Sequence, residues 1–432
     1  MSLKDLHAVP HLTTSLTGPL LKLESHFLDR QAEIEAWFRQ HWLKTPAPFY
    51  TSVDLRNSGF KVAPVDTNLF PAGFNNLNSA FMPLCVHATQ TAIERVCPAA
   101  TQVLLIPENH TRNTFYLESL ATLSSILNQA GLDIRIGSLK EGMEAPEQIE
   151  LPSGNGLTLE PIERRGDKIG VKGFTPCAIL LNNDLSDGIP EILKDISQKM
   201  IPPVELGWAH RLKSDHFSHY QRVSAEFAEL VAIDPWLINP LFRQCGEINF
   251  MKREGGACLA RNVAALLDAI QTKYDEYGLK EDPFVIIKAD AGTYGMGVMM
   301  VKSAEEVLEL NRKQRTKMAA SKGGQEVSQV IMQEGVYTFE TWGENKSVAE
   351  PVVYMMDHFV VGGFYRVHKG RSVNESLNAP GMHFEPLAFV ESCNTPDQNQ
   401  APDAHPNRFY AYGVIARLAL LAAAREIAQA TK

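Results

Sequence analysis

A lysine followed by a glycine-rich segment is the first feature of the sequence whose residue types and spacing suggest chemistry. Gly292, Gly295 and Gly297 follow Lys288 closely, and Tyr294 lies between the first two glycines. Glycines let the backbone approach a ligand, and successive N–H groups can hold phosphate oxygens. The spacing fits neither the dinucleotide-binding motif nor the P-loop. Apolar residues on both sides instead predict two antiparallel strands joined by a loop that covers a triphosphate, with Lys288 at its base. An ordinary hairpin with a flexible tip is the alternative.

A second segment with nucleotide-binding chemistry lies 45 residues after Lys288. It consists of Gln333, Glu334, Gly335 and Val336, at the end of an apolar stretch. Backbone groups in such a segment can pair with the edge of an adenine base, and the acidic side chain can take the amino group or the ribose. Strands often end in charged residues, so the segment gains its meaning from the glycine-rich loop before it.

A polar and basic run extends from Trp208 to His216 and contains Arg211 and Lys213. His210 and His216 are six residues apart and are candidate metal ligands. A solvated loop or the rim of a substrate site is the favoured interpretation, because no further ligand pattern accompanies the two histidines.

Composition limits the classes of protein that the chain can belong to. Its 432 residues predict about two or three closely packed lobes. A net charge of −9 argues against nucleic acid as a partner. Six cysteines without a CxxC pair predict reduced thiols. No stretch approaches the roughly 18 apolar residues of a membrane span, and residues 1–20 lack the pattern of a signal peptide, so we expect a cytosolic enzyme.

Hydrophobic periodicity predicts a chain of mixed helices and strands. The N-terminal part is expected to form a helix at 25–43, extended stretches at 49–55 and 60–65 and a helix at 79–96. The next part is expected to form a parallel β-α-β unit, with strands at 103–106, 134–136 and 178–181 and helices at 114–130 and 189–199. Later elements are helices at 259–277, 303–313 and 409–429 and strands at 284–288, 298–301, 328–333, 348–354 and 358–366.

Residues 245–390 resemble the catalytic core of the ATP-grasp ligases, and of bacterial glutathione synthetase in particular. The resemblance implies that Lys252 and Lys288 are the two nucleotide lysines and that 333–336 is the adenine hinge. It also implies that the strand ending in Arg366 carries the catalytic arginine, and that Asn378 lies in a loop facing substrate and phosphate.

The acidic magnesium site that ends this fold in its usual order has no counterpart after residue 395. The N-terminal region offers Asp54 and the pair Asp66-x-Asn68, and Mg²⁺ prefers such oxygen ligands. We therefore expect an α/β (α+β) ATP-grasp-like fold that is circularly permuted, with residues 25–78 completing the sheet. The alternative is a surface hairpin, in which case Glu391 and Asn394 are the reserve ligands.

Taken whole, residues 25–425 resemble a bacterial glutamate–cysteine ligase family. The resemblance implies ATP and Mg²⁺ as cofactors and glutamate and cysteine as substrates, joined through a γ-glutamyl phosphate. Arg56, Asn57, Asn75 and Asn76 are the candidates for holding the amino acid, and Glu350 is a candidate metal or substrate contact or an ordinary exposed acid. Homo-oligomer formation stays open.

The predicted organisation has four parts. Residues 1–100 complete the metal-site sheet, 101–240 form the preceding β-α-β domain, 241–390 form the nucleotide-binding and catalytic region, and 391–432 form a loop and helix. Two other functions are left open. One is another ATP-grasp carboxylate–amine ligase, of the glutathione synthetase or peptide-tailoring type; the other is a nucleotide-binding module without catalysis.

Overall fold

The N-terminal part of the fold contains helices and a β-hairpin. The structure is a computed structural model that describes residues 12–13, 19–109, 113–292, 297–319, 326–385 and 408–432. The first elements are β1 (Leu12–Thr13), α1 (Pro19–Asp29), α2 (Gln31–Lys44), β2 (Tyr50–Asn57), β3 (Val62–Asn68) and α3 (Met82–Val96). The single helix predicted at 25–43 is two helices, because the backbone of Arg30 (φ −105°, ψ 17°) leaves the helical conformation.

The middle of the chain forms a six-stranded sheet, in the order β11-β10-β4-β5-β7-β6, that is parallel except for β6. Its region contains β4 (Gln102–Pro107), α4 (Thr114–Gln129), β5 (Asp133–Ser138), β6 (Glu147–Glu150), β7 (Gly156–Pro161), β8 (Glu163–Arg165), β9 (Lys168–Gly170), β10 (Ala178–Asn182), β11 (Lys199–Ile201) and α5 (Lys213–Val231). The parallel β-α-β unit is confirmed.

One helix predicted in this region is wrong. Residues 189–199 form a short 3₁₀ turn at Glu191–Leu193 and then enter β11. Pro190 is extended (ψ 142°) and Asp195 has a positive φ of 54°, so the backbone leaves the helical conformation on both sides of the turn.

A four-stranded antiparallel sheet carries the glycine-rich loop, in the order β12-β15-β13-β14. Its elements are β12 (Phe242–Cys245), α6 (Gly256–Tyr277), β13 (Val285–Ala289), β14 (Val298–Val301), α7 (Ala304–Leu308), α8 (Arg312–Ala319) and β15 (Val330–Glu334). Strands β13 and β14 pair with Lys288 opposite Val298, which confirms the predicted antiparallel pair around the loop.

A seven-stranded sheet joins the two ends of the described chain. Its later strands are β16 (Thr341–Trp342), β17 (Ser347–Met356), β18 (Phe359–His368) and β19 (Met382–Glu385), and the last helix is α9 (Arg408–Ala430). Strand β17 pairs with β18 along one edge and with β2 along the other, and β2 pairs with β3. In this register Asp54 lies opposite both Val352 and Asp66. The early hairpin is therefore an integral part of the sheet that carries Arg366.

Helix α9 is a core helix that packs against the hairpin and α5. Its residues from Tyr410 to Ala424 are buried almost without exception. Arg417 pairs with Glu35 at 2.8 Å and lies over the ring of Phe38, so its charge is compensated inside the core. Among the described residues, no helix is both long enough and apolar enough to cross a membrane.

A buried ion pair fixes the end of α9 beside the loop that leads into α5. Arg211 Nε and Nη2 donate to the two carboxylate oxygens of Glu426 at 2.7 and 2.9 Å, and both side chains are at most 6% exposed. Burial alone would raise the pKa of Glu426, but Arg211 and His216 outweigh it and lower that pKa to about 2.

Replacing Arg211 with Met should lower the free energy of unfolding by about 3–5 kcal/mol, because Glu426 then stays buried without its main counter-charge. Arg425→Met is the matched control. Arg425 lies on α9 beside Glu426, but its own partner is the half-exposed Glu226. This control substitution should cost less than about 1 kcal/mol. Urea unfolding of the two variants measures the difference, and equal losses would contradict this assignment.

Candidate active site

A cavity of about 440 Å³ lies where the four-stranded and seven-stranded sheets meet. Its wall combines residues from the early hairpin, from the glycine-rich strands and from the segment after β18. The charged residues that line it are Asp54, Arg56, Asp66, Lys213, Lys288, Lys317, Glu334, Glu350, Arg366, Arg371 and Glu375. Such a mixture of acids and bases in one cavity suits a polyanionic ligand together with a cation.

Lys288 connects the two sheets at the base of the glycine-rich loop. Its Nζ donates to the carbonyl of Val65 on β3 and to Oε1 of Gln333 on β15, both at 2.8 Å. Burial lowers the pKa of Lys288 to about 8, although Asp66 opposes the shift. The lysine is thus held in the cavity by neutral oxygen acceptors, and its charge is available to an anionic ligand.

Arg366 lies at the centre of a line of alternating charges across the seven-stranded sheet. Its Nη1 donates to Asp54 at 2.9 Å and to Glu350 at 2.5 Å, and Arg56 donates to the other oxygen of Glu350 at 3.2 Å. Burial and the nearby Glu350 and Asp66 raise the pKa of Asp54, and Arg366 works against that rise. Burial works to lower the pKa of Arg366, but Asp54 and Glu350 outweigh it and hold that pKa above its ordinary value.

Lys213 is a second buried lysine of the cavity, which sequence reasoning did not single out. It begins α5, inside the polar run predicted as a loop or rim, and burial lowers its pKa. Its Nζ donates to the carbonyl of Gly292 at 2.5 Å, and Ser214 beside it donates to Asp290 through its N–H and its hydroxyl. The start of α5 therefore fixes the first residues of the glycine-rich loop. The basic run that begins at Trp208 is the sequence feature that could have identified Lys213 as a site residue.

The glycine-rich loop is described only at its two ends. Gly292 lines the cavity with a φ of 97°, and its N–H donates to the carbonyl of Trp208 at 2.9 Å. Gly297 has a φ of 63°, and its carbonyl accepts the N–H of Ala289. Tyr294 and Gly295 lie outside the described residues.

The predicted adenine hinge reaches the cavity, but Glu334 does not present its carboxylate there. That carboxylate is buried and accepts from Lys61 Nζ at 2.7 Å and from Trp236 Nε1 at 3.0 Å. The role predicted for its side chain is therefore corrected, because both oxygens already bind protein donors. Gln333 and Val336 line the cavity, and Nε2 of Gln333 is buried with no partner among the residues that the structure describes.

Gly335 is a close-packing position next to this hinge. A Cβ at this residue would come within about 2.1 Å of the Phe284 ring, and its N–H donates to the Phe284 carbonyl. Gly335 therefore keeps the strand close to its neighbour and does not itself line the cavity.

Two residues predicted to bind cofactors lie away from the cavity wall. Lys252 is exposed in a turn, where its own N–H donates to the Asn249 side chain. The amide oxygen of Asn68 accepts from the Phe70 N–H at 2.9 Å and from Trp208 Nε1 at 3.4 Å. Asn68 therefore closes a local turn beside the hairpin.

Three of the four residues predicted to contact the amino-acid substrate also do not line the cavity. Asn57 is buried and donates to the Tyr412 hydroxyl of α9 at 2.7 Å, so it anchors the helix. Asn75 and Asn76 lie in a 3₁₀ turn with partly or fully exposed side chains and do not line the cavity. Arg56 does line it, as does the predicted catalytic Asn378.

The acidic side chains of the hairpin and of the adjacent strand β17 fit a hard divalent cation by their chemistry. Asp54, Asp66 and Glu350 all line the cavity and offer carboxylate oxygens. Within the described ranges, however, no three acidic, histidine or cysteine side chains are already arranged around one metal position. Asp54 and Asp66 are the carboxylates of the hairpin that could hold such a cation. Glu391 and Asn394 lie outside the described residues.

Comparison with known proteins identifies similar chains. A model of the glutamate-cysteine ligase family matches residues 24–427. The chain is 60% identical to a Methylobacillus flagellatus KT protein provisionally named a gamma-glutamylcysteine synthetase. The match to its crystal structure covers 97% of this chain and 99% of that one, with a TM-score of 0.90. D-alanyl-alanine synthetase A from Vibrio cholerae O1 biovar eltor matches at 11% identity over 74% of this chain and 81% of that one, with a TM-score of only 0.31. No match was found among curated proteins.

The lowered pKa of Lys288 predicts how nucleotide affinity depends on pH. Below about pH 8 the lysine is charged and can pair with a phosphate; above it the neutral amine must take up a proton on binding. The dissociation constant for ATP should therefore rise above pH 8, approaching about tenfold per pH unit. Titration calorimetry between pH 7 and 9.5 measures this.

Lys288→Arg should flatten the pH profile, because arginine stays charged throughout this range. Lys61→Arg is the matched control, since burial also lowers the pKa of Lys61 to about 8, but Lys61 does not line the cavity and already pairs with Glu334. A profile that is flat in the natural enzyme, or flattened by Lys61→Arg, would rule out Lys288 as the titrating group.

Proposed function

We propose that this cavity is the site at which the chain, which belongs to the glutamate–cysteine ligase family, joins its two amino-acid substrates. ATP activates the side-chain carboxylate of glutamate, and the resulting acyl-phosphate is joined to the amine of cysteine. The observation that carries the proposal is that one cavity brings together residues from the two sheets. Lys288 and Gly292 come from the glycine-rich sheet, and Asp54, Arg366 and Glu350 come from the other sheet.

The reaction brings several anionic groups together, so catalysis depends on positioning and charge compensation. The carboxylate oxygen attacks the γ-phosphorus of ATP, and ADP leaves. The cysteine amine then attacks the acyl carbon, phosphate leaves with the electrons of the C–O bond, and the nitrogen loses one proton to solvent. Lys288 and Lys213 are placed to hold the phosphates at the base of the glycine-rich loop, where Gly292 approaches the ligand.

Arg366 is the group best placed to stabilise the phosphoryl group in transfer and then the tetrahedral oxyanion. A guanidinium offers five N–H donors in a fixed plane, and its contacts with Asp54 and Glu350 engage Nη1. Its Nε is buried and has no partner among the described residues, so a donor remains for an anionic ligand. Asn378 lines the same cavity and is the second candidate for contact with the reacting groups.

Asp54 and Asp66 are the residues that would hold Mg²⁺. The ion supplies neutralisation of phosphate charge when it is bound. The early hairpin brings the two carboxylates together as opposite residues of β2 and β3, and their mutual repulsion in a buried setting favours a cation between them.

The function is tested by measuring ADP release with pairs of amino acids. ADP should form with glutamate and cysteine together and with Mg²⁺ present, and omission of either amino acid or removal of the metal by a chelator should abolish turnover. Release of ADP with γ-glutamylcysteine and glycine instead would identify a different ligase of the same chemistry. The absence of ADP with every pair would contradict catalysis.

Substitution of Arg366 tests the chemical step. Arg366→Lys should lower kcat by about 100-fold or more while changing the affinity for ATP little, because the planar donor set is lost where charge develops. Lysine keeps a positive charge beside the partly buried Asp54 and the buried Glu350, which limits loss of stability. Steady-state kinetics and nucleotide titration separate the two effects, and an unchanged kcat would exclude this role.

A further inference from the structure

The site as described lacks an assigned partner for the α-carboxylate of either amino acid. Arg56 was the predicted candidate, but each of its three nitrogens already donates within the protein. Nε donates to Glu350, Nη1 to the Val336 carbonyl and Nη2 to the Glu375 carbonyl. Arg56 thus holds the hinge, strand β17 and the segment after β18 together. Its burial and a protein partner on each of its three nitrogens fit a structural role in the cavity wall.

Arg371 is a cation of the cavity wall with spare donors. It follows the strand that carries Arg366, and its side chain is 37% exposed. Among the described contacts, only Nη1 is engaged, with Glu375 Oε1 at 2.8 Å. A planar guanidinium with free N–H groups can bind a carboxylate through two parallel hydrogen bonds.

Glu375 does not need Arg371 in order to remain satisfied. Its Oε2 accepts from both the N–H and the hydroxyl of Ser372 at 2.8 Å. These two bonds, together with Arg371, lower the pKa of Glu375 to about 2, so it stays an anion. Release of Arg371 to another carboxylate therefore leaves Glu375 bonded and partly solvated.

The position of Arg371 selects which part of the substrates it meets. Lys288, Lys213 and Gly292 come from the glycine-rich side, where the phosphates are expected. Arg371 lies instead in the segment with Asn374, Ser376 and Asn378, whose polar side chains also line the cavity. This segment is tied to the sheet by the His368 ring, which contacts the Pro380 carbonyl at 3.0 Å.

We propose that Arg371 binds the α-carboxylate of an amino-acid substrate, and that Glu375 occupies this position on Arg371 when the substrate is absent. The inference rests on the proposed function and adds a specificity-determining residue to it. Binding exchanges one carboxylate for another on the same guanidinium, so the ion pair seen in the structure keeps the side chain in the orientation that the substrate requires.

The experiment compares substrates with and without an α-carboxylate. kcat/KM is measured for cysteine against cysteamine and for glutamate against its α-amide, in the natural enzyme and in Arg371→Gln. In the natural enzyme the carboxylate should be preferred in both pairs. Arg371→Gln should reduce one of these preferences by about 10- to 100-fold, since a charge-assisted pair of hydrogen bonds is lost. The pair that changes shows whether glutamate or cysteine is the ligand of Arg371.

Two further variants sharpen this test. Arg371→Lys should recover part of the lost preference, because it restores the charge without the planar fork. Arg30→Gln is the matched control: Arg30 is 29% exposed and pairs with the nearby Glu33 at 2.7 Å, and it does not line the cavity. It should change neither ratio, and the KM for ATP should change little in all variants, because Lys288 and Lys213 are left unaltered.

Several results would overturn the assignment. Both preferences could persist in an active Arg371→Gln enzyme, or activity could fall equally toward substrates with and without the carboxylate. A natural enzyme without either preference would also contradict it. Failure of the natural enzyme to require glutamate and cysteine is a separate result, which contradicts the proposed function and not the binding role of Arg371 alone.

Discussion

The contacts that join the early hairpin to the later strands are the constraint on which the site depends. Arg366 bonds Asp54 and Glu350, which lie on two different strands, and Lys288 bonds the carbonyl of Val65 from the other sheet. A buried arginine between two carboxylates is costly to separate from either of them. The charges of the two parts of the chain therefore stabilise each other only when the hairpin is in place beside β17. The wall of the cavity is complete only with the hairpin paired to β17.

The elements outside the cavity serve to keep this arrangement fixed. Helix α9 packs against the hairpin, and its Tyr412 hydroxyl bonds both Asn57 and the buried Glu340. At its other end Glu426 holds Arg211, which also donates to the Thr67 carbonyl of β3. The C-terminal helix thus touches the hairpin at two places, and through Arg211 it adjoins the segment that fixes Gly292. A helix that the sequence predicted only as an element at 409–429 supports both halves of the site.

Local patterns in the sequence were sufficient for most elements and for part of the site. Apolar stretches located the strands around Lys288 and the β-α-β unit, because strand residues buried on a sheet face are mostly apolar. The line of charges came from the resemblance to ATP-grasp ligases, because periodicity carries no information about which distant strands pair. Helix α5 was missed, and with it Lys213, since its first residues are polar and read as loop.

The residues that prediction misplaced have a common physical cause. Asn57, Asn68 and Glu334 have side chains that could bind a ligand, but each forms a hydrogen bond with a residue far away in the chain. The partners are Tyr412 for Asn57, Trp208 for Asn68 and Lys61 for Glu334. A polar side chain that is buried must find such a partner, and a sequence gives no indication of whether the partner is protein or ligand. Lys252 is the opposite case, an exposed lysine whose motif position alone suggested the site.

The two sheets divide the chemistry between them. The four-stranded sheet offers Lys288, whose amine donates to neutral oxygen acceptors, so its charge remains available to an anionic ligand such as phosphate. The seven-stranded sheet offers paired charges, so an anion that enters there must exchange with an existing carboxylate or use the donors that remain free. Such exchange costs little when the displaced acid has other donors and much when it has none. Differences in amino-acid selectivity should therefore arise from the segment after β18, where acids have local partners, and not from the central line formed by Asp54, Arg366 and Glu350.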